Sequence, residues 1–266
     1  MLALLGFRTP MPSLHRRTFF LSGLLLMSSG CGALVDLIDG DSVATVRMFA
    51  THAGTPTPDG FPDYGDEITT RVFWNDLGWQ LSLSEVYVTT AQVRLVRCGD
   101  DVGSEIDMFW GACPEDFVAV NDRESVALGA IDVKDGQYCR VDVTFGPYVP
   151  DAASDEHIPP QNPMIVGNTL LIKGVARRGE GPMLEEVPFE IVTDKVAHAR
   201  VNIADIETGR PLTLDDENFA RDLTVLKTYD TFFDGVDFAT ATPGDIEAAV
   251  LAGLELDTRV YPGNQI

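Results

Sequence analysis

Strict apolar–polar alternation constrains this chain more than any other feature. In Cys139-Arg140-Val141-Asp142-Val143-Thr144-Phe145 every odd position is apolar and every even one polar. Such a run puts its apolar residues on one face only as a β-strand, because a helix would scatter them around its axis. The pattern recurs at Val187, Phe189 and Ile191, and again at Ala199, Val201 and Ile203. Val46 and Met48 begin the series, and Val72 and Trp74 continue it. Each such strand buries one face and wets the other, as antiparallel sheets do.

The stretch Gln80–Arg97 changes phase twice. Leu81 and Leu83 alternate with serines, Val86 and Val88 take the opposite phase, and Ala91, Val93 and Leu95 restore the first. A one-residue slip of this kind is what a β-bulge produces. A tight turn near Thr89-Thr90 is the alternative. Further strands are expected near 126–133, 169–176 and 222–228. About nine strands, no internal repeat and no strand–helix alternation predict an all-β, antiparallel β-sandwich with a C-terminal helix. That helix has Thr242 as N-cap, Pro243 in its first turn, Asp245 facing its N-terminus, and Ile246, Ala249, Val250 and Leu254 in one stripe. Tyr229–Phe238 reads as a short helical turn leading into it, so the C-terminal helical segment spans 229–257.

Charge divides the chain at Cys31. Residues 1–30 hold Arg8, Arg16 and Arg17 and no acid, whereas the other 236 residues hold 16 basic and 41 acidic side chains. The net charge of that larger part is therefore about −25. A body so acidic lacks the clustered Lys and Arg that recognise a phosphate backbone, so no nucleic-acid partner is expected. Phe19–Met27 forms an apolar run after Arg16 and Arg17, too short to span a bilayer but suited to a signal peptide. The expected order is a signal peptide over 1–30, a tether over 31–42 and one sandwich domain over 43–266.

Ser28-Ser29-Gly30-Cys31 resembles a bacterial lipoprotein cleavage box, in which the cysteine thiol receives a diacylglycerol. Ser28 stands where that box usually has an aliphatic residue, and cleavage after Ala33 is the alternative. Arg16-Arg17-Thr18-Phe19-Phe20 resembles a twin-arginine export signal. Gly32 stands where an inner-membrane retention signal usually has Asp. The resemblance thus implies an outer-membrane lipoprotein, held through Cys31 and facing the periplasm or the cell surface.

Cys98, Cys113 and Cys139 remain, an odd count for an oxidising compartment. Cys98 and Cys113 are the disulfide candidates by sequence proximity, with Cys98–Cys139 as the rival pairing. Two Pro-rich stretches, Thr51–Glu67 and Pro147–Pro163, are long for loops in a compact domain. His52 and His157 lie in or beside them, and Asp59, Asp63 and Asp66 lie in the first. Convergence of the two loops would create a divalent-metal site, copper on the histidines or calcium on the acids. No zinc spacing, EF-hand loop, GxSxG elbow, Walker loop or dinucleotide fingerprint occurs. Among the tryptophans, Trp74 reads as core, while Trp79 and Trp110 sit beside turns, where they could contact a ligand.

Glu85–Val96 resembles an early strand pair of bacterial β-sandwich lipoproteins of the methanobactin-partner type. Gly136-Gln137-Tyr138 and the strand running to Phe145-Gly146-Pro147 resemble the same group's Gly-x-Tyr turn and following strand end. The resemblance covers about a third of the chain. It implies a sandwich outside the cytoplasm and a link to copper handling, and it maps no metal ligand onto a position here.

The expectation is a lipid-anchored envelope protein with a binding or accessory role, not an enzyme. Its partner would be an envelope protein or a small ligand, with a divalent metal as the alternative. Paired carboxylates of an envelope glycan hydrolase are the enzyme-class rival, although no pair stands out among 41 acids.

Overall fold

The computed structural model describes residues 43–54, 71–118, 124–150, 162–203, 210–215 and 220–264. All of them belong to one compact unit, Asp41–Ile266. Residues 1–42, which hold the expected signal peptide, Cys31 and the expected tether, and most of both Pro-rich stretches lie outside the described residues. Among these, no helix is long and apolar enough to cross a membrane.

Two sheets build the molecule. The first has the order β14-β13-β1-β7-β5. Its strands are β1 (Val43–Ala53), β5 (Asp107–Met108), β7 (Val126–Lys134), β13 (Ala220–Thr228) and β14 (Arg259–Pro262). The second runs β10-β9-β3-β8-β11, formed by β3 (Gln80–Arg97), β8 (Gly136–Phe145), β9 (Leu170–Arg178), β10 (Glu185–Thr193) and β11 (Ala197–Asn202). The short strands β2 (Arg71–Trp74), β4 (Ser104–Glu105) and β6 (Cys113–Asp116) add to β3, and β12 (Leu212–Leu214) adds to β8. The all-β sandwich is thus present, with fourteen strands among the described residues instead of about nine. Most of the surplus strands have only two to four residues. Pairing is antiparallel except between β1 and β13, which run parallel from Thr45↔Ala220 to Ala53↔Thr228.

The double phase change resolves as one continuous strand. β3 slips register against β9 between Leu83 and Glu85, and against β8 between Thr90 and Gln92. Each bulge swaps the buried face, so Leu81 and Leu83, then Val86 and Val88, then Val93 and Leu95 all reach the core. The turn at Thr89-Thr90 is therefore not formed. In β2 the alternation is real but its phase is reversed. Arg71 and Phe73 are buried while Val72 and Trp74 are exposed, because the Arg71 guanidinium donates to the Phe117 carbonyl at 2.7 Å. Trp74 is thus surface, not core.

β7 passes into β8, and so from one sheet to the other, through Asp135-Gly136. Gly136 has φ +152°, and a Cβ there would come within 2.5 Å of the Arg97 guanidinium. That guanidinium is held by the Asp135 carbonyl at 2.8 Å. Only glycine fits this corner.

The helix α1 (Pro243–Asp257) has a complete capping box, the Thr242 hydroxyl accepting from the Asp245 amide while the Asp245 carboxylate accepts from the Thr242 amide. It packs Ile246, Val250, Gly253 and Leu254 inward, against β10, β11 and β13. β10 and β11 end the strand order of the second sheet, and α1 packs against both. Before it, a 3-10 turn at Tyr229–Thr231 leads into a plug of Phe232, Phe233, Val236 and Phe238, all buried.

Candidate functional site

Alternation places His52 on β1 and Lys227 directly opposite on β13. β6, from the second sheet, delivers Glu115 between them. The Glu115 carboxylate accepts from His52 Nδ1 at 2.6 Å, and its other oxygen lies 2.6 Å from Lys227 Nζ. His52 and Lys227 have no solvent exposure and Glu115 has 2%. Burial alone would raise the Glu115 pKa, but the Lys227 ammonium and the His52 hydrogen bond hold it below the usual carboxylate value. An ionised carboxylate can only accept, so Nδ1 of His52 carries the proton in that bond. The His52 ring stacks on Phe117 at 4.2 Å with an interplanar angle of 7°. This constellation ties the sheets together from inside. It is closed to any substrate.

His52 therefore sits at the end of a strand, where the Pro-rich stretch begins, and faces the core rather than a loop cluster. A cation suits this site poorly, because Lys227 already neutralises Glu115, the carboxylate bonded to the imidazole. Among the described residues no group of three or more His, Cys, Asp or Glu side chains could hold a metal ion. The other expected ligands, His157, Asp59, Asp63 and Asp66, lie outside the described residues.

The cysteines pair differently from the expectation of proximity. Cys98 bonds to Cys139, with their Cα atoms 4.9 Å apart, and Cys113 is a free buried thiol. The cause is strand register. β3 and β8 run antiparallel with Arg97 opposite Tyr138, and the Cys98 amide donates to the Gln137 carbonyl at 2.9 Å. Cys113 instead lies on β6 opposite Thr90, well back along β3. Burial, reinforced by the Glu115 carboxylate, pushes the Cys113 thiol up to about 12, so it is an inert packing group.

Trp79 is likewise not a contact residue. It is fully buried, donates its indole N–H to Asp237 at 3.1 Å, and lies under the Arg178 guanidinium at 4.3 Å. Asn75 holds the adjoining turn. Its side-chain amide donates to the Phe233 and Val236 carbonyls at 3.0 and 2.9 Å and its oxygen accepts from the Trp79 amide at 2.9 Å. The string Phe232–Phe238 is thereby explained as the anchor of the β2–β3 turn. Glu115, Lys227 and Asn75 escaped the sequence reading, since polar residues there look like solvated strand or turn positions.

An open site lies elsewhere. Where the start of β13 and the end of β14 approach β12, residues of both sheets line a cavity of about 450 Å³. Ile203, Leu212, Leu223 and Val260 give it apolar walls continuous with the core. Among the described residues, Arg47, Arg210, Arg221 and Asp222 are the charged groups that line it. Arg47 and Asp222 are register partners joined by two hydrogen bonds of 2.7 and 2.8 Å.

No protein-family model matches this sequence, and no curated protein matches it. A solved structure described as MbnP from Methylosinus trichosporium is a weak structural neighbour, with 12% identity and a TM-score of 0.35. The alignment covers 84% of this chain and 99% of that one. Likeness at that level assigns no activity.

Proposed function

We propose that this protein is a lipid-anchored accessory protein of the cell envelope that binds a ligand without converting it. The observation that carries the binding reading is the cavity beside β12, β13 and β14. Its volume falls within the range of small-molecule sites, and its mix of apolar wall and few polar groups is typical of them. Among the described residues its lining holds no Cys, His, Ser or Tyr, and Asp222 is engaged by Arg47. Such a set can hold an ion or a polar group and offers neither an activated nucleophile nor a general base. The envelope part rests on the leader with Cys31, and the Cys98–Cys139 disulfide fits an oxidising compartment.

Two measurements test the reading. Replacing Cys31→Ser should release the protein from the membrane fraction, and continued retention removes the anchor. Small molecules extracted from the purified protein should return chemically unchanged after incubation with it. Turnover of a recovered compound overturns the non-catalytic role.

A further inference from the structure

Two neighbouring hairpin tips present large apolar side chains to solvent. Trp74 and Leu77, at the β2–β3 turn, are 63% and 44% exposed, and Met183 and Leu184, at the β9–β10 turn, are 82% and 49% exposed. Register puts both tips at one end of the second sheet. Gln80 of β3 pairs with Trp74 of β2 on one side and with Arg177 of β9 on the other, and Arg178 of β9 pairs with Glu185 of β10. β2 and β10 thus lie three strand spacings apart, about 14 Å. Both turns are fixed. Asn75 pins the first to the Phe232–Phe238 plug. In the second, a 3-10 turn at Gly181–Met183 follows Gly179, whose φ of +88° and closeness to the Met183 carbonyl leave no room for a Cβ. Single exposed apolar residues are ordinary on a protein surface, but four on adjoining fixed turns mark a contact surface.

Charge says what meets it. Arg177 is held by Glu186 at 2.8 Å, and Arg178 by Glu185 and Asp237 at 3.1 and 3.3 Å. Asp76 and Asp234 join the first tip to the plug, the Asp76 amide donating to Asp234 at 3.2 Å and the Gly235 amide to Asp76 at 2.7 Å. Asp76, Glu180 and Asp234 are exposed, and among the described residues none of them has an ion-pair partner. An apolar centre with a negative margin suits a partner with an apolar centre and a basic margin. It repels a second copy, whose margin is the same. The chain enters the fold at Val43, which pairs with Lys134 beside the Arg97 end of β3, far from the tips. An anchor upstream of Val43 thus draws the opposite end of the molecule to its bilayer.

We propose that the β2–β3 and β9–β10 tips dock a cationic amphipathic helix of a partner protein, its apolar face on Trp74, Leu77, Met183 and Leu184 and its basic flanks against Asp76, Glu180 and Asp234. A helix is about 10–12 Å across, which matches the span of the two tips. The partner's lysines or arginines neutralise carboxylates that this chain leaves without a cation, and the apolar contact removes surface that water otherwise covers. The inference does not use the cavity beside β12, β13 and β14.

Titration of the purified full chain with a synthetic amphipathic helix of leucine and lysine tests this, with amide and indole shifts read by nuclear magnetic resonance. The peptide should bind saturably at concentrations on the order of 10 μM, and shift Leu77, Gly78, Met183, Leu184 and the Trp74 indole. The double variant Trp74→Ser/Met183→Ser should weaken it at least tenfold. Both side chains are exposed, so the variant should fold, and Val102→Ser/Phe109→Ser, at positions elsewhere that are 73% and 51% exposed, should bind as the wild type does. Glu180→Gln and raised salt should each weaken binding. Unchanged affinity in Trp74→Ser/Met183→Ser overturns the proposal, because the acidity of the chain alone would then hold the peptide. Equal binding of a leucine–glutamate peptide overturns the basic character of the partner. Phosphatidylcholine vesicles that shift the same residues make the occupant a bilayer, and self-association that Trp74→Ser/Met183→Ser abolishes makes it a second copy. Either result overturns the partner assigned here.

Discussion

At the scale of single residues, the buried charges are the decisive feature. Glu115 stands between His52 and Lys227, and all three side chains are shielded from solvent. Removing one member of such a set strands the others in a medium that solvates charge poorly. Glu115→Gln should therefore cost about 3–5 kcal/mol of unfolding free energy, measured by urea denaturation. A variant in which His52, Glu115 and Lys227 are all replaced by apolar residues of similar volume should lose less than that single change. The same carboxylate gives a pH dependence. Its folded pKa lies below the ordinary 4.5, so its contribution is full above that value and is lost as pH falls through the lower folded one. Denaturation midpoints of the wild type should drop as pH falls below 4.5, and Glu115→Gln should show a shallower slope there. A parallel slope in the variant would show that other carboxylates carry the acid sensitivity. None of this is legible in the sequence, where Lys227 ends a run that reads as an ordinary half-wet strand. Parallel pairing puts it opposite His52, and pairing of strands 175 residues apart leaves no local mark.

At the scale of elements, the sequence is far more explicit. The bulges of β3 are visible because each apolar pair must reach the same core face whatever the register does. β8 and β11 are visible because each wets one face. α1 is visible because its cap and stripe are local. Thr242→Ala should remove the capping hydroxyl and cost about 1 kcal/mol, with the loss read in the thermal or denaturant midpoint. The phase of β2 was hidden, since Arg71 enters the interior by giving its guanidinium to a carbonyl, and Trp74 has no such need to be inside. The disulfide was only half legible. The candidates were in view, but β3–β8 register decides between them, and register is set by bulges that move the two strands by one residue at a time. The bond spans 41 residues, so its removal should destabilise the fold by roughly 4 kcal/mol in the chain-entropy model. Cys98→Ser/Cys139→Ser should show that loss, whereas Cys113→Ala should show only the smaller cost of a buried small side chain.

At the scale of the whole molecule, the chain's two ends are made to depend on each other. β1 is flanked by β7 on one side and β13 on the other, and every β13 residue that it pairs with lies after residue 219. The Phe232–Phe238 plug, also late in the chain, fills the space beneath the β2–β3 turn through Asn75 and Trp79. An early strand therefore has no complete core until the last fifth of the chain arrives. Loop closure over such separations must occur before the contacts can stabilise anything, which makes folding slow. A chain truncated after Leu214 would keep β1, β3, β7 and β8 but lose β13, the plug, α1 and β14. It would also leave His52 and Glu115 without Lys227. We expect no cooperative unfolding transition from this fragment, and no protection of β1 amides against hydrogen exchange. The intact chain, refolded with its disulfide in place, should recover β1 and β13 protection in a single phase. Protection of β1 in the fragment, or its recovery well before β13 in the whole chain, would show that the N-terminal strands form a stable unit of their own. The parallel pair would then be a late addition rather than the closure on which the fold depends.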